Sequence, residues 1–129
     1  MALKSARVTK PVTFDPEAPV GEAGLRRHVA RGAELSQRGQ YAEAEKEFRA
    51  AAELQPENPD THYALGNILY RRQKLVDAQG EFSEAMRLRP DFALAHRAMG
   101  VVAESLGDEQ NAFREYQKAY ILDLGVCRR

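Results

Sequence analysis

Apolar and small residues recur along this chain at helical spacing, and the whole pattern returns after a fixed interval. Glycine occurs at positions 32, 66 and 100 and an aromatic residue at 48, 82 and 116, so one step of 34 residues relates each set. A step of this size is typical of proteins built from stacked structural repeats. The pattern therefore divides the chain into three repeats, at residues 25–58, 59–92 and 93–126.

Within each repeat, the apolar spacing predicts two helices joined by a short turn. Gly39 suits the left-handed backbone position that ends a helix, and Asn58 with Pro59 suits a helix start. Gly107 followed by Asp108 indicates the end of one helix and the N-cap of the next. The predicted helices cover residues 25–38, 41–54, 59–71, 75–88, about 91–106 and about 109–122. The sequence thus predicts an all-α chain of three hairpins.

The glycines at one phase of the repeat fall inside predicted helices. Glycine there costs about 1 kcal/mol relative to alanine, so its return at each step indicates a close approach that a β-carbon would block. We expect the alanines at positions 44, 78 and 112 to supply the opposing surface. The aromatic residues at 48, 82 and 116 should then fill the space between hairpins.

Taken together, these positions resemble the tetratricopeptide repeat. That family has a glycine early in the first helix, a glycine at the turn, alanines flanking an aromatic residue in the second helix and a closing proline. The resemblance covers about residues 25–126. It implies three αα-hairpins stacked into a short right-handed superhelix, an α-solenoid with a concave groove. It also implies a non-enzymatic module that binds peptides or proteins.

Composition narrows the function classes. Hydrophobic residues make up 43% of the 129 residues, which is typical of a globular protein. Lys plus Arg and Asp plus Glu number 19 each, so the chain lacks the basic footprint of a nucleic-acid binder. No apolar run suits a membrane span or a secretory signal, and the single cysteine allows no internal disulfide. We expect a cytoplasmic protein.

The first 24 residues differ from the repeats. Three prolines interrupt any helix, and Val12 to Phe14 can form a short strand-like piece. This arm is either solvated or docked on its own domain or on a neighbouring copy. At the other end, residues 127–129 form a short tail that contains Cys127. Leu124 stands where the family has its closing proline, and we expect no extra capping helix after it.

No catalytic or metal-binding constellation stands out. His28, His62 and His96 share one repeat phase, but ligands of one zinc ion must nearly touch, whereas equivalent residues on packed helices lie about 8–10 Å apart. We expect each histidine to be a packed residue with one satisfied ring nitrogen. The run of Glu43, Glu45 and Glu47 reads as a solvated surface. The sequence predicts no enzyme activity, no cofactor and no metal site.

The resemblance implies which residues line the concave groove. Carried over onto matching positions, they are Val29, Ala33, Tyr63, Asn67, Tyr70, Leu94, Arg97 and Val101. Asparagine can hold a peptide backbone through its paired donor and acceptor, tyrosine offers contact area with a polar tip, and arginine can pair with a carboxylate. These residue types suit an extended peptide segment of a partner protein.

One ligand of the family is excluded by its residues. Chaperone-cofactor members grip a C-terminal carboxylate with lysine, asparagine and arginine side chains. The matching positions here are Val29, Ala33, Ala64, Leu94 and Ala98. None of these side chains can form that clamp, so we expect a different peptide.

Self-association is the alternative function. A repeat buries its apolar face against the next repeat, so the last repeat leaves one face open. In the last predicted helix, Phe113, Tyr116 and Tyr120 are expected to form one apolar stripe. Either Leu124 and Val126 fold back over it, or a second copy of the chain covers it. The two functions can coexist, because the arm of one copy can occupy the groove of another.

Overall fold

The computed structural model describes residues 21–124, and the regular secondary structure within this range is entirely α-helical. The helices are α1 (Gly21–Gln37), α2 (Tyr41–Leu54), α3 (Pro59–Arg71), α4 (Leu75–Leu88), α5 (Ala93–Ser105) and α6 (Glu109–Leu124). The start of α1 precedes the predicted start at Leu25, so the end of the expected arm is helical. The strand-like piece at residues 12–14, the rest of the arm, Val126 and the tail lie outside the described residues.

Local sequence signals place most helix ends where they were predicted. The side chain of Asn58 accepts a hydrogen bond from the backbone N–H of Asp60 at 2.9 Å and caps α3, which begins at a proline. Gly39 and Gly107 adopt φ angles of 79° and 86° in the turns of the first and third hairpins. The second turn places Gln73 at the equivalent position with a φ of 65°, so only this turn lacks the glycine that suits a left-handed backbone.

Contacts between the helices follow chain order. Each hairpin pairs its own two helices, and successive hairpins meet where α2 packs on α3 and where α4 packs on α5. The first helices of the second and third repeats, α3 and α5, also touch. Because each repeat packs on its neighbour, the described chain is an all-α solenoid of three hairpins.

The glycines that recur at one phase of the repeat pack against aromatic rings of the same hairpin. An added β-carbon would lie 2.8 Å from Phe48 at Gly32, 2.6 Å from Phe82 at Gly66 and 2.7 Å from Tyr116 at Gly100. The expectation of a close approach is confirmed. At each glycine the three atoms nearest to the added β-carbon all belong to the ring. The opposing surface expected from the alanines stays a prediction.

The acidic run on α2 is a solvated surface only in part, which corrects the sequence interpretation: Glu43 is exposed, but Glu45 is not. Glu45 is buried, with only 6% of its surface exposed, and its carboxylate binds Arg72 at 2.6 Å and Arg49 at 2.7 Å, with Lys74 at 3.4 Å. Burial opposes ionisation, but these hydrogen bonds and positive charges outweigh it and lower the pKa of Glu45 to about 2. Glu45 thus links α2 to the turn of the second hairpin.

Candidate functional site

A hollow of about 510 Å³ lies between α3 and α5, and we call it the groove. Six residues expected in a binding surface line it: Tyr63, Asn67, Tyr70, Leu94, Arg97 and Val101. They meet here because helical spacing places them along facing sides of two adjacent first helices. Sequence reasoning missed its apolar floor, which contains Ile68, Phe82 and Ala98.

The aromatic wall of the groove is held in place by the core. The ring of Tyr63 lies 5.9 Å from that of Phe82 and 5.1 Å from that of Phe92, measured between centroids. Tyr63 is therefore a structural residue as well as a lining residue, because it packs against the buried cluster of Ala85, Phe92 and Ala95 where α4 meets α5.

The charged residues lining the groove are arginines. Arg97 forms an ion pair with Asp123 at 3.0 Å, and both side chains are about half exposed. Arg71 lies 6.0 Å from the ring centroid of Tyr41, and none of the carboxylates in residues 22–124 forms an ion pair with it. Exposed ion pairs contribute little stability, so both guanidinium groups can bind an incoming carboxylate at small cost.

Val29 lines a second hollow and not the groove. This hollow, of about 480 Å³, lies between residues 25–30 of α1 and the start of α3, and is lined by Leu25, Arg26 and Ala64 among others. Ala33 is exposed on α1 and lines neither hollow. The sequence-predicted surface is thus divided into two hollows along the first helices of the repeats.

The outer face of α6 carries two of the three residues expected in the apolar stripe. Phe113 and Tyr120 are 68% and 65% exposed. Tyr116 does not share this face: its ring packs on Gly100, and its hydroxyl donates to a carboxylate oxygen of Glu104 at 3.0 Å. Burial and this hydrogen bond raise the pKa of Tyr116. Instead, Leu124 continues the exposed apolar surface, with 57% of its area accessible.

The histidines form one repeated arrangement. In each hairpin Nδ1 of the histidine faces the carboxylate of the glutamate 19 residues later, at 2.7–2.8 Å. In the second and third hairpins Nε2 also bonds the backbone carbonyl oxygen of Pro56 or Pro90, at 2.7 and 2.8 Å. The expectation of one satisfied nitrogen was therefore wrong for His62 and His96. Among residues 21–124 no cluster of three potential metal ligands occurs.

None of the six described helices is both long and apolar enough to cross a membrane.

Two family models match the chain. One, described as TPR repeat, matches residues 32–73, and the other, described as tetratricopeptide repeat, matches residues 77–125. Together they cover most of the three predicted repeats. No curated protein sequence matches the chain.

Solved structures with the same arrangement of helices include a MamA structure labelled AMB-1. It is 28% identical, with a TM-score of 0.73, and the match covers 78% of this chain but only 60% of the MamA chain. The first TPR of Spaghetti (RPAP3), bound to the HSP90 peptide SRMEEVD, is 19% identical, with a TM-score of 0.77 and coverage of 81% and 82%. A CopN–Scc3 complex is 16% identical, with a TM-score of 0.75 and coverage of 88% and 68%.

Proposed function

This chain belongs to the tetratricopeptide repeat family, and on that premise we propose that it is a non-enzymatic adaptor that holds an extended peptide segment of a partner protein in its groove. The observation that carries the proposal is the composition of the groove. A hollow with an apolar floor, two arginines and an asparagine offers buried contact area together with a few oriented polar groups. The RPAP3 domain, a repeat protein of this fold, is solved with a bound peptide, which supports peptide binding as a use of the fold.

The groove favours a segment that carries a carboxylate. Arg71 and Arg97 are the charged residues that line it, and Arg71 is free of ion pairs within the described range. Asn67 lies in the same hollow and can bond a backbone amide of the ligand. We do not expect the family's carboxylate clamp to hold this ligand, because the matching positions carry apolar residues such as Ala64 and Ala98 here.

The proposal is tested by capture of partners from a lysate and identification of the bound segment by mass spectrometry. The variant Asn67→Ala/Arg71→Glu/Arg97→Glu should lose at least about tenfold in affinity, because charge reversal repels a carboxylate and the amide contact is removed. Tyr63 is left in place because its ring packs on the buried rings of Phe82 and Phe92.

The matched control is Glu43→Ala/Lys46→Ala, which changes two exposed charges on α2 that lie outside the groove. Circular dichroism should show equal helicity for both variants. Equal capture by the groove variant and the parent chain would contradict the proposal.

Self-association through α6 is a second candidate function. Met86, one repeat before Tyr120, packs against the buried cluster of Ala85, Phe92 and Ala95, which connects α4 to α5. The exposed face of α6 thus repeats a surface that earlier in the chain contacts the next repeat, and a second copy of this protein can cover it.

Light scattering over a range of concentrations tests this second function. The parent chain should show a mass above that of one chain, and Phe113→Glu/Tyr120→Glu should be monomeric, because charges cannot be buried in that contact. Val76→Glu, at a residue that is 69% exposed on α4, serves as the control. A parent chain that stays monomeric at high concentration rules self-association out.

The cytoplasmic location expected from the sequence stays a prediction.

A further inference from the structure

The two hollows on the first helices of the repeats carry an excess of positive charge. Arg71 and Arg97 line the groove, and Arg26 lines the second hollow beside Asp60. Asp60 is paired with Arg89 at 3.2 Å, Arg26 with Glu22 at 3.7 Å and Arg97 with Asp123 at 3.0 Å. Among residues 22–124, Arg71 is therefore the lining charge without an ion pair. An occupant that spans both hollows should therefore be acidic and should carry apolar side chains for the floor of the groove and for the apolar wall around Val29.

A segment of this chain has that chemistry. Residues 12–20 read VTFDPEAPV, and we call them the arm segment. Asp15 and Glu17 are its charged residues, and it contains no lysine or arginine. Phe14 and the flanking valines supply apolar surface, while its prolines favour extended backbone, which lowers the entropy lost when a peptide binds in extended form.

The position at which the arm segment joins the repeats allows it to reach both hollows. It directly precedes Gly21, the first residue of α1, and the next turns of α1 place Leu25 and Val29 in the second hollow. From there the far side of the groove lies across two helix spacings, on the order of 20 Å. Extended chain covers about 3.3 Å per residue, so six or seven residues span that distance. Counting back from Gly21, six residues bring Asp15 within reach of the groove, whereas Glu17, four residues back, reaches about 13 Å, which is more than one helix spacing but less than two.

We propose that the arm segment occupies the groove of its own molecule and acts as a tethered competitor of the partner peptide. This inference rests on the proposed function of the groove. A short tether gives an effective concentration in the millimolar range, which favours the intramolecular contact over pairing between copies at micromolar protein concentrations. Exposed charge pairs are weak individually, so a partner segment with better contacts displaces the arm.

The test uses the full chain and a fluorescent peptide with the sequence of residues 11–21 as the probe. In the parent chain the tethered arm competes with the probe. The variant Asp15→Lys/Glu17→Lys releases the arm, so it should bind the probe at least about tenfold more tightly than the parent chain does. Adding Arg71→Glu/Arg97→Glu to that variant should abolish binding of the probe.

The control is Glu43→Lys/Glu109→Lys, which makes the same change in net charge at exposed positions outside both hollows. It should bind the probe as the parent chain does.

Equal affinity of the arm variant and the parent chain, or no binding of the probe to either, overturns the inference. So does a mass that rises with concentration in the parent chain and not in the arm variant, because the arm would then act between copies. These results are distinct from failure of the proposed function. Capture of a partner segment depends on the groove arginines whether or not the arm segment competes for them.

Discussion

At the residue scale, the repeat is defined by a glycine that makes room for a ring. In the second hairpin a β-carbon at Gly66 would lie 2.6 Å from Cε1 and 2.8 Å from Cδ1 of Phe82. Phe82 is among the largest fully buried side chains, so its ring has little freedom to move away. The absence of a side chain at Gly66 is therefore a packing requirement, and it outweighs the low helix propensity of glycine.

Gly66→Ala should lower the free energy of unfolding by about 1–3 kcal/mol. The cost of overpacking against the Phe82 ring exceeds the gain in helix propensity. Gly80→Ala is the matched control. Gly80 lies in α4 with open space where a β-carbon would be, so this change should stabilise the protein by about 1 kcal/mol. Urea denaturation of both variants checks the pair. A Gly66→Ala variant as stable as Gly80→Ala would contradict the packing argument.

At the scale of elements, the histidine of each hairpin ties two helices together. Nδ1 of His62, in α3, faces the Glu81 carboxylate of α4, and its Nε2 faces the carbonyl oxygen of Pro56 before α3. Both partners are acceptors, so both bonds form only when each ring nitrogen carries a proton. Burial opposes this charge, but the two hydrogen bonds and the charges of Glu81 and Glu84 outweigh it and raise the pKa of His62.

The sign of the pH dependence follows from that raised pKa. The contribution of His62 to stability is complete below its ordinary pKa of 6.5 and is lost as the pH rises through the higher value in the folded protein. His62 and Glu81 line a third hollow together with Arg49 and Glu53 of α2, which complete the charged surroundings. His62→Gln should cost about 1–3 kcal/mol at pH 6 and less at pH 9.

Urea denaturation of His62→Gln and the parent chain between pH 5 and 9 measures this difference. Arg26→Gln, which changes an exposed residue at the other end of the stack, is the control. A difference between His62→Gln and the parent that stays constant across the range would show that the imidazole is not charged in the fold.

At the scale of the whole molecule, the two junctions between repeats differ in chemistry. The first contains the buried carboxylate of Glu45 with Arg72 and Lys74, and the second contains Met86 with Phe92. Position 45 corresponds to Gln79 and then to Phe113 in the later repeats. The charged cluster is therefore specific to the junction between the first and second repeats.

Glu45→Gln should lower the free energy of unfolding by about 2–3 kcal/mol at pH 7, because it leaves the arginines without their buried partner. The contribution of the carboxylate is complete above its ordinary pKa of 4.5 and disappears as the pH falls toward about 2. The difference between the variant and the parent chain should accordingly shrink in acid. Urea denaturation from pH 2 to 7, with Glu43→Gln as the exposed control, measures it. A difference that persists at pH 2 would mean that charge is not the cause.

Most of the fold could be predicted from the sequence because its signals are local. Asn58 and Pro59 mark the start of α3, and Gly39 and Gly107 mark turns, whatever the rest of the chain does. The constant step of the repeat then fixes how many hairpins there are. The division of the groove residues was less predictable: Tyr63 and Arg97 meet in one hollow, whereas Val29 lies in another.

The sequence by itself therefore determined the helices, their pairing into hairpins and the family. Only the tertiary structure decided that Glu45 is buried, that Tyr116 turns toward Gly100 and that His62 has a second acceptor. The physical reason is distance along the chain. Arg72 follows Glu45 by 27 residues, and Glu81 follows His62 by 19, so these partners meet only when helices pack. The helical pattern in the sequence specifies which residues lie on one face of a helix. It does not specify which side chains of a neighbouring helix contact that face.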